Sequence, residues 1–186
     1  GIGREDSGGG KTSPADVDTD TFRRLLWGAA MNGHYPYFAN TATSGATVDP
    51  AQLDSPAARQ MTIWFDFFSG TRYWELEPYF GVDGGRAVAL EDIEYIVYVE
   101  KPSGPVEVAV ARHGYDVAWF NPIDGQRIPQ KDFKGERFVA EPPDSTHDWV
   151  LHISREGRKQ SMLNSYKFES RPVPIQEIER NPQRVP

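Results

Sequence analysis

The sequence predicts a mostly β fold, in which an antiparallel β-sandwich is preceded by two helices and one short strand. The spacing of the apolar residues changes at Gly70, from a helical period before it to a period of two after it. Turn signals rich in glycine, proline and aspartate separate short alternating segments throughout residues 71–155. Many short strands divided by such turns are typical of an antiparallel sandwich or barrel.

The first helix is expected from one apolar stripe at helical spacing, which consists of Phe22, Leu25, Leu26, Ala29 and Ala30. Its amino end can be capped by any of three neighbouring residues, Asp18, Thr19 and Asp20. Gly33 can end this helix in a left-handed backbone conformation. The aromatic run of residues 34–39 then predicts a short buried strand, and residues 40–53 a polar loop.

The second helix has clearer boundaries. Ser55 is a good cap, and Pro56 suits the first position of a helix. Gly70 is expected to end the helix. Between these limits, a second apolar stripe is formed by Ala57, Met61, Trp64, Phe65 and Phe68.

Alternating apolar residues predict strands at residues 93–100, 106–110, 114–121, 136–141 and 149–153. Turns are predicted between them at residues 102–104, His113-Gly114, Asp124-Gly125 and residues 142–144. The proline-containing basic tail predicts a linker, in which residues 166–169 alternate like a further strand. Three tryptophans on or just before predicted strands are expected in the core rather than on a ligand platform: Trp74, Trp119 and Trp149.

The composition excludes several classes of protein. The 186 residues include 38% hydrophobic and 25% charged residues, which is ordinary for a globular chain. The net charge of −7 argues against a nucleic-acid-binding protein. The absence of cysteine excludes disulfides, zinc fingers and thiol nucleophiles. No apolar run approaches the ~20 residues of a membrane-spanning helix, so we expect no membrane partner.

The glycine-rich start of the chain contains an incomplete phosphate-binding motif. Residues 10–12 match the end of the motif, but Glu5 occupies the position that requires its first glycine, so we expect a loop. Glu5 and Asp6 form an adjacent carboxylate pair. Glycosidases need two carboxylates that face each other about 5–9 Å apart, which neighbours on a loop rarely achieve. Asp6 is therefore kept as a candidate for substrate contact, with a solvated loop charge as the alternative.

His34 is the second candidate for substrate contact, together with Tyr35 and Tyr37. A histidine can donate a hydrogen bond to a sugar hydroxyl, and aromatic rings offer apolar faces to sugar C–H groups. The alternative is a structural, hydrogen-bonded histidine. The sequence contains no serine–histidine–aspartate pattern, and we expect no metal or cofactor, because metal-ligand spacing is absent among His113, His147 and His152.

Four segments resemble the closing region of apiosidase-like glycoside hydrolases. Residues 22–34 resemble the pattern that leads into the last barrel strand of that family, and residues 54–61 resemble its final helix. Residues 118–125 and 147–151 resemble its C-terminal β-sandwich, which carries the family label of a collagen-binding domain of a collagenase. The resemblance covers roughly residues 20–154.

The resemblance implies the end of a (β/α)8 barrel in residues 1–70, an accessory β-sandwich in residues 71–155 and a tail or linker in residues 156–186. It places Asp6 in the loop after barrel strand seven and residues 34–37 on strand eight, near the mouth of the active site. The catalytic carboxylates of such an enzyme lie on earlier strands, so no catalytic residue is assigned here. The start at glycine rather than methionine also predicts a piece of a longer polypeptide.

Two functions follow as expectations. The first is a non-catalytic C-terminal part of a carbohydrate-active enzyme, in which the sandwich braces the barrel and the partner is the missing N-terminal barrel portion. The second is a module that binds polysaccharide or collagen. The apolar helix faces need a partner, which is the sandwich, a second copy of the chain or the missing barrel. For the parent protein we expect a bacterial origin and a secreted or periplasmic location, although no segment of this chain specifies one.

Overall fold

The computed structural model describes residues 18–34 and 54–155, which belong to one compact unit, Gly1–Glu156. The second unit, Gly157–Pro186, lies outside the described residues, as do the predicted loop at the start of the chain and the aromatic run after His34. The domain limits at residues 70 and 155 therefore stay predictions. In residues 18–34 and 54–155, neither helix combines the length and the apolar character that a membrane-spanning helix needs.

The described part is mostly β, with two helices followed by an eight-stranded antiparallel sheet that folds into a sandwich. A 3-10 turn, Tyr73–Glu75, connects the second helix to the first strand. The predicted fold class is confirmed. The elements are α1 (Thr19–Ala30), α2 (Pro56–Ser69), β1 (Glu77–Tyr79), β2 (Val82–Asp83), β3 (Arg86–Leu90), β4 (Glu94–Val99), β5 (Val106–Phe120), β6 (Arg127–Pro129), β7 (Phe133–Ala140) and β8 (Trp149–Arg155).

Both helices begin at the predicted caps. The Asp18 carboxylate accepts a hydrogen bond from the Thr21 backbone N at 2.9 Å, and the Ser55 hydroxyl oxygen accepts one from the Ala58 backbone N at 3.2 Å. After α1, Gly33 adopts a φ of 72°, as its position predicts. Local capping chemistry therefore fixes where the helices begin.

The buried faces of the helices are rotated from the predicted stripes. Leu25 and Phe65, both expected to be buried, are 42% and 62% exposed. Trp27 is fully buried, and two polar side chains, Arg23 and Gln60, are buried as well. The stripes were wrong at these positions because counting apolar residues misses a polar side chain that has a buried partner.

The long strand β5 joins the two layers of the sandwich. It pairs with β7 at residues 106–109 and 113–115 and with β2 at residues 107–108. Further along, it pairs with β8 at residues 115–120 and with β6 at residues 118–120. The register against β7 shifts between Ala109 and His113. The turn predicted at His113-Gly114 is therefore wrong, because the chain continues there as a strand through a local irregularity.

One face of the sheet forms the interior of the sandwich and the other lies under the helices. In β4, Tyr95 and Val97 belong to the interior core, whereas Ile96 and Tyr98 belong to the core shared with the helices. The sequence left three possible partners for the apolar helix faces. In the described residues, these faces pack against the sandwich. The strand order is β1-β3-β4-β8-β5-β2, and β6 and β7 also pair with β5.

Candidate functional site

A buried ion pair joins α1 to the start of β8. Asp148 is fully buried, and its Oδ1 accepts hydrogen bonds from Arg23 Nη2 at 2.6 Å and Arg23 Nε at 3.0 Å. The Tyr98 hydroxyl donates to Asp148 Oδ2 at 3.0 Å. Arg23 Nη1 also donates to Asp20 Oδ1 at 2.7 Å. A helix, a central strand and the chain before β8 thus meet at one carboxylate.

The electrostatics of this junction favour a structural role for Asp148. Burial acts to lower the pKa of Arg23, but its hydrogen bonds to Asp148 and Asp20 outweigh that effect and raise the pKa. Burial, reinforced by the Asp148 charge, raises the pKa of the Tyr98 hydroxyl. Because Arg23 and Tyr98 occupy both carboxylate oxygens, Asp148 serves as their acceptor and is closed to solvent.

A second buried polar group lies on the same sheet face, at the C-terminal end of α2. His152 Nε2 is 2.6 Å from Glu94 Oε1, and Arg127 Nη1 and Nη2 are each 3.2 Å from His152 Nδ1. The other Glu94 oxygen accepts a hydrogen bond from the Arg72 backbone N at 3.1 Å. The ring of Phe67 packs edge-on against His152, with centroids 5.5 Å apart. Burial lowers the pKa of Arg127.

This geometry fixes the tautomer of His152. A guanidinium can only donate hydrogen bonds, so Nδ1 must be the acceptor and Nε2 must carry the proton that is donated to Glu94. The sequence indicated His152 only as one of several scattered histidines. The alternation of β8 places His152 on the face opposite Leu151 and Ile153, and that face is buried only because the helices cover it.

Trp27 lies at the centre of the helix–sheet core. Its ring is stacked against Tyr98, with centroids 6.0 Å apart, and it contacts Phe67 edge-on at 5.1 Å. Phe68 and Phe120 lie at 5.5 Å and 5.9 Å. One side chain from α1 thus contacts α2 and two strands.

The residues proposed for substrate contact are only partly covered by the structure. His34 is exposed just after α1, and its backbone N donates to the Ala29 carbonyl at 3.1 Å. Tyr35, Tyr37 and Asp6 lie outside the described residues. Their assignment to a substrate site therefore stays a prediction.

The tryptophans divide into two classes. Trp119 and Trp149 are 1% and 3% exposed and belong to the sandwich core, which confirms the expectation for them. Trp74 is 50% exposed in the 3-10 turn, so its expected burial is wrong. Its ring meets that of the partly exposed Tyr73 edge-on, with centroids 5.1 Å apart. Among the described residues, no group of three acidic or histidine side chains is arranged to hold a metal ion.

The described architecture is found within solved glycoside hydrolases. One structure, a glycoside hydrolase, matches with a TM-score of 0.60 at 17% identity, covering 75% of this chain and 37% of that one. A second, a family 5 glycoside hydrolase from Bacteroides vulgatus, matches with the same TM-score at 15% identity and the same two coverages.

At these identities the similarity establishes a shared fold. The chain spans little more than a third of the length of either structure. No protein-family model matches the sequence, and no curated protein matches it.

Proposed function

We propose that this chain is the non-catalytic C-terminal part of a secreted or periplasmic carbohydrate-active enzyme, and that its β-sandwich braces a (β/α)8 barrel. The finer assignment we propose is to the apiosidase-like glycoside hydrolases. The observation that carries the proposal is the attachment of α1 to the sandwich. Trp27 and Arg23 lie on a helix assigned to the barrel, and both are buried against the sheet.

Support for a brace comes from the character of this contact. The helix–sheet core is apolar and aromatic, and it contains a buried ion pair whose two partners are 2% and 0% exposed. Contacts of this kind hold one geometry, because breaking the pair leaves a buried charge without compensation. A sandwich attached in this way holds the barrel helices in one position. Unfolding those helices then also requires breaking their contacts with the sandwich.

The test compares the 186-residue chain with the complete polypeptide from which we propose it derives. Hydrolysis of plant-type oligosaccharides is measured for both, and we expect turnover from the complete polypeptide only. In that polypeptide, Arg23→Leu should lower the temperature at which activity is lost while kcat/KM at low temperature stays unchanged. Arg137→Leu, which removes an exposed pair with Glu107, is the matched control and should leave both quantities unchanged.

Two results would overturn the brace. One is turnover by the isolated chain that is abolished by changing Glu5 or Asp6. The other is an inactivation temperature that Arg23→Leu leaves at its original value.

The second candidate is a module that binds polysaccharide or collagen, and the exposed Trp74 and Tyr73 favour it. Aromatic rings at a surface can stack on sugars. Retention of the chain on immobilised polysaccharide or collagen, lost on Trp74→Ala, would support binding. The matched control is Phe80→Ala, because Phe80 is 91% exposed and lies outside this ring pair. The buried Trp119 and Trp149 make the brace the first choice.

A further inference from the structure

An open groove of about 470 Å³ runs beside α1 and carries polar groups on both sides. Its helix side includes Arg24, Leu25 and Asn32, and across from them lie Arg86 and Glu100. The Arg86 side chain reaches over the helix, since a Cβ added to Gly28 would lie 3.6 Å from Arg86 Nη1. The groove falls within the usual size range of small-molecule sites, about 300–1,000 Å³.

Arg24 is the unexplained group in this groove. Its Nε is buried and has no hydrogen-bond partner among the described residues. The other guanidinium is already committed, because Arg86 Nη2 donates to Glu100 Oε2 at 2.7 Å. The pKa of Asp18 is lowered mainly by its hydrogen bonds to Thr21, and the nearby charge of Arg24 contributes to this shift. Asp18 is, however, fully exposed. Because this atom has no accessible surface, a ligand would meet Arg24 through the part of the side chain that lines the groove.

We infer that this groove binds a carboxylated sugar, such as a uronic acid unit of a polysaccharide, and that Arg24 receives its carboxylate. The inference rests on the proposed carbohydrate-active function. A guanidinium matches the planar geometry of a carboxylate, and the half-exposed Leu25 offers an apolar surface to a sugar ring. Asn32 Nδ2 donates to the Gly28 carbonyl at 2.7 Å, so its Oδ1 is left as an acceptor for a sugar hydroxyl.

The arrangement favours an acidic sugar over a neutral one. A neutral sugar offers hydroxyl oxygens, which form weaker bonds to a guanidinium than an ionised carboxylate does. The Arg86–Glu100 pair leaves this side of the groove without excess charge, so Arg24 supplies the positive charge that selects the ligand. Binding should therefore depend on one side chain.

The experiment is titration calorimetry of the full chain with trigalacturonic acid and with galactotriose at low salt. We expect binding of the acidic trisaccharide to be at least about tenfold tighter. Arg24→Gln should bring the ratio of the two affinities to about one, as should Leu25→Glu, which adds a repelling charge. Arg59→Gln is the matched control, because Arg59 is an exposed arginine on α2 outside the groove, and should keep the preference. Melting temperatures establish that each variant is folded.

Absence of binding to either trisaccharide would overturn the inference and leave Arg24 to a carboxylate of a protein partner. A preference that survives Arg24→Gln in the folded variant would overturn it as well. Both results are independent of the proposed function, which fails instead if the complete polypeptide hydrolyses no glycoside.

Discussion

Arg23 Nη2 and Asp148 Oδ1 lie 2.6 Å apart, although the two residues are separated by 125 positions in the sequence. One lies on the first described helix and the other just before the last described strand. Their ion pair therefore connects the beginning and the end of the described fold. The Tyr98 hydroxyl donates a further hydrogen bond to the same carboxylate. The stability of the unit should therefore be sensitive to this contact.

The first prediction is that Arg23→Leu lowers the free energy of unfolding by about 3–5 kcal/mol, because it leaves the Asp148 charge buried without its partner. Asp148→Asn should have an effect of similar size. The matched control, Arg137→Leu, removes an exposed pair and should cost less than about 1 kcal/mol. Urea denaturation followed by circular dichroism measures all three, and equal losses for the two arginine variants would contradict the prediction.

The second prediction concerns Trp27. Replacing this fully buried ring with alanine removes its contacts with α2 and two strands, and it should cost about 3–5 kcal/mol of unfolding free energy. Trp74→Ala, at a half-exposed tryptophan, should cost clearly less. Near-ultraviolet circular dichroism and chemical denaturation compare the two variants, and a larger loss for Trp74→Ala would count against the central place of Trp27.

Local chemistry made much of the fold predictable, because it acts over a few residues. Ser55 and Gly33 could be assigned from neighbours in the chain, and the alternation of β4 and β8 indicated strands. The continuity of β5 through His113 depends instead on β7, which lies later in the sequence. A glycine next to a histidine indicates a turn until such pairing is known.

The candidate site was less predictable, because its groups come from distant parts of the chain. Arg23, Glu94 and His152 are charged or polar residues in segments that also contain many apolar ones. Nothing in their local spacing says which will find a buried partner. Trp27 was missed for a related reason. Helical spacing shows that one side of a helix is apolar, but the packing of the helix on the sheet decides which residues near that side become buried.

The third prediction is a loss of stability in alkali. Burial and the Asp148 charge raise the pKa of Tyr98, so above about pH 10 the unfolded chain releases a proton that the folded chain keeps. The folded state then binds more protons, and the free energy of unfolding falls as pH rises, by up to about 1.4 kcal/mol per pH unit for each such tyrosine. Tyr115, whose pKa burial also raises, adds to the slope.

Tyr98→Phe isolates the contribution of one ring. The variant should be less stable at neutral pH, because a hydrogen bond to Asp148 is lost, but its stability should fall less steeply in alkali. Denaturation curves at a series of pH values measure both effects. A slope as steep as that of the parent chain would show that Tyr98 ionises as readily folded as unfolded.

The fourth prediction is the protonation pattern of His152 at neutral pH. Because Arg127 donates to Nδ1, the ring should be the tautomer with its proton on Nε2. Nitrogen chemical shifts from long-range proton–nitrogen correlation identify the two nitrogens. Arg127→Met removes the donor to Nδ1 and should shift that nitrogen, whereas Arg137→Met should not. A proton found on Nδ1 in the parent chain would contradict the geometry.

The last prediction concerns the connection between β2 and β3, where the backbone requires a glycine. Gly84 has a φ of 82°, and a Cβ at this position would lie 2.7 Å from the Pro105 carbonyl oxygen. Gly84→Ala therefore combines left-handed strain, about 1–2 kcal/mol, with a backbone clash. Gly104→Ala is the matched control, because a Cβ there has nothing within 4 Å. That variant should be neutral, or stabilised by the reduced freedom of its unfolded chain. Thermal unfolding compares them, and equal melting temperatures would mean that the connection relaxes to accept a side chain.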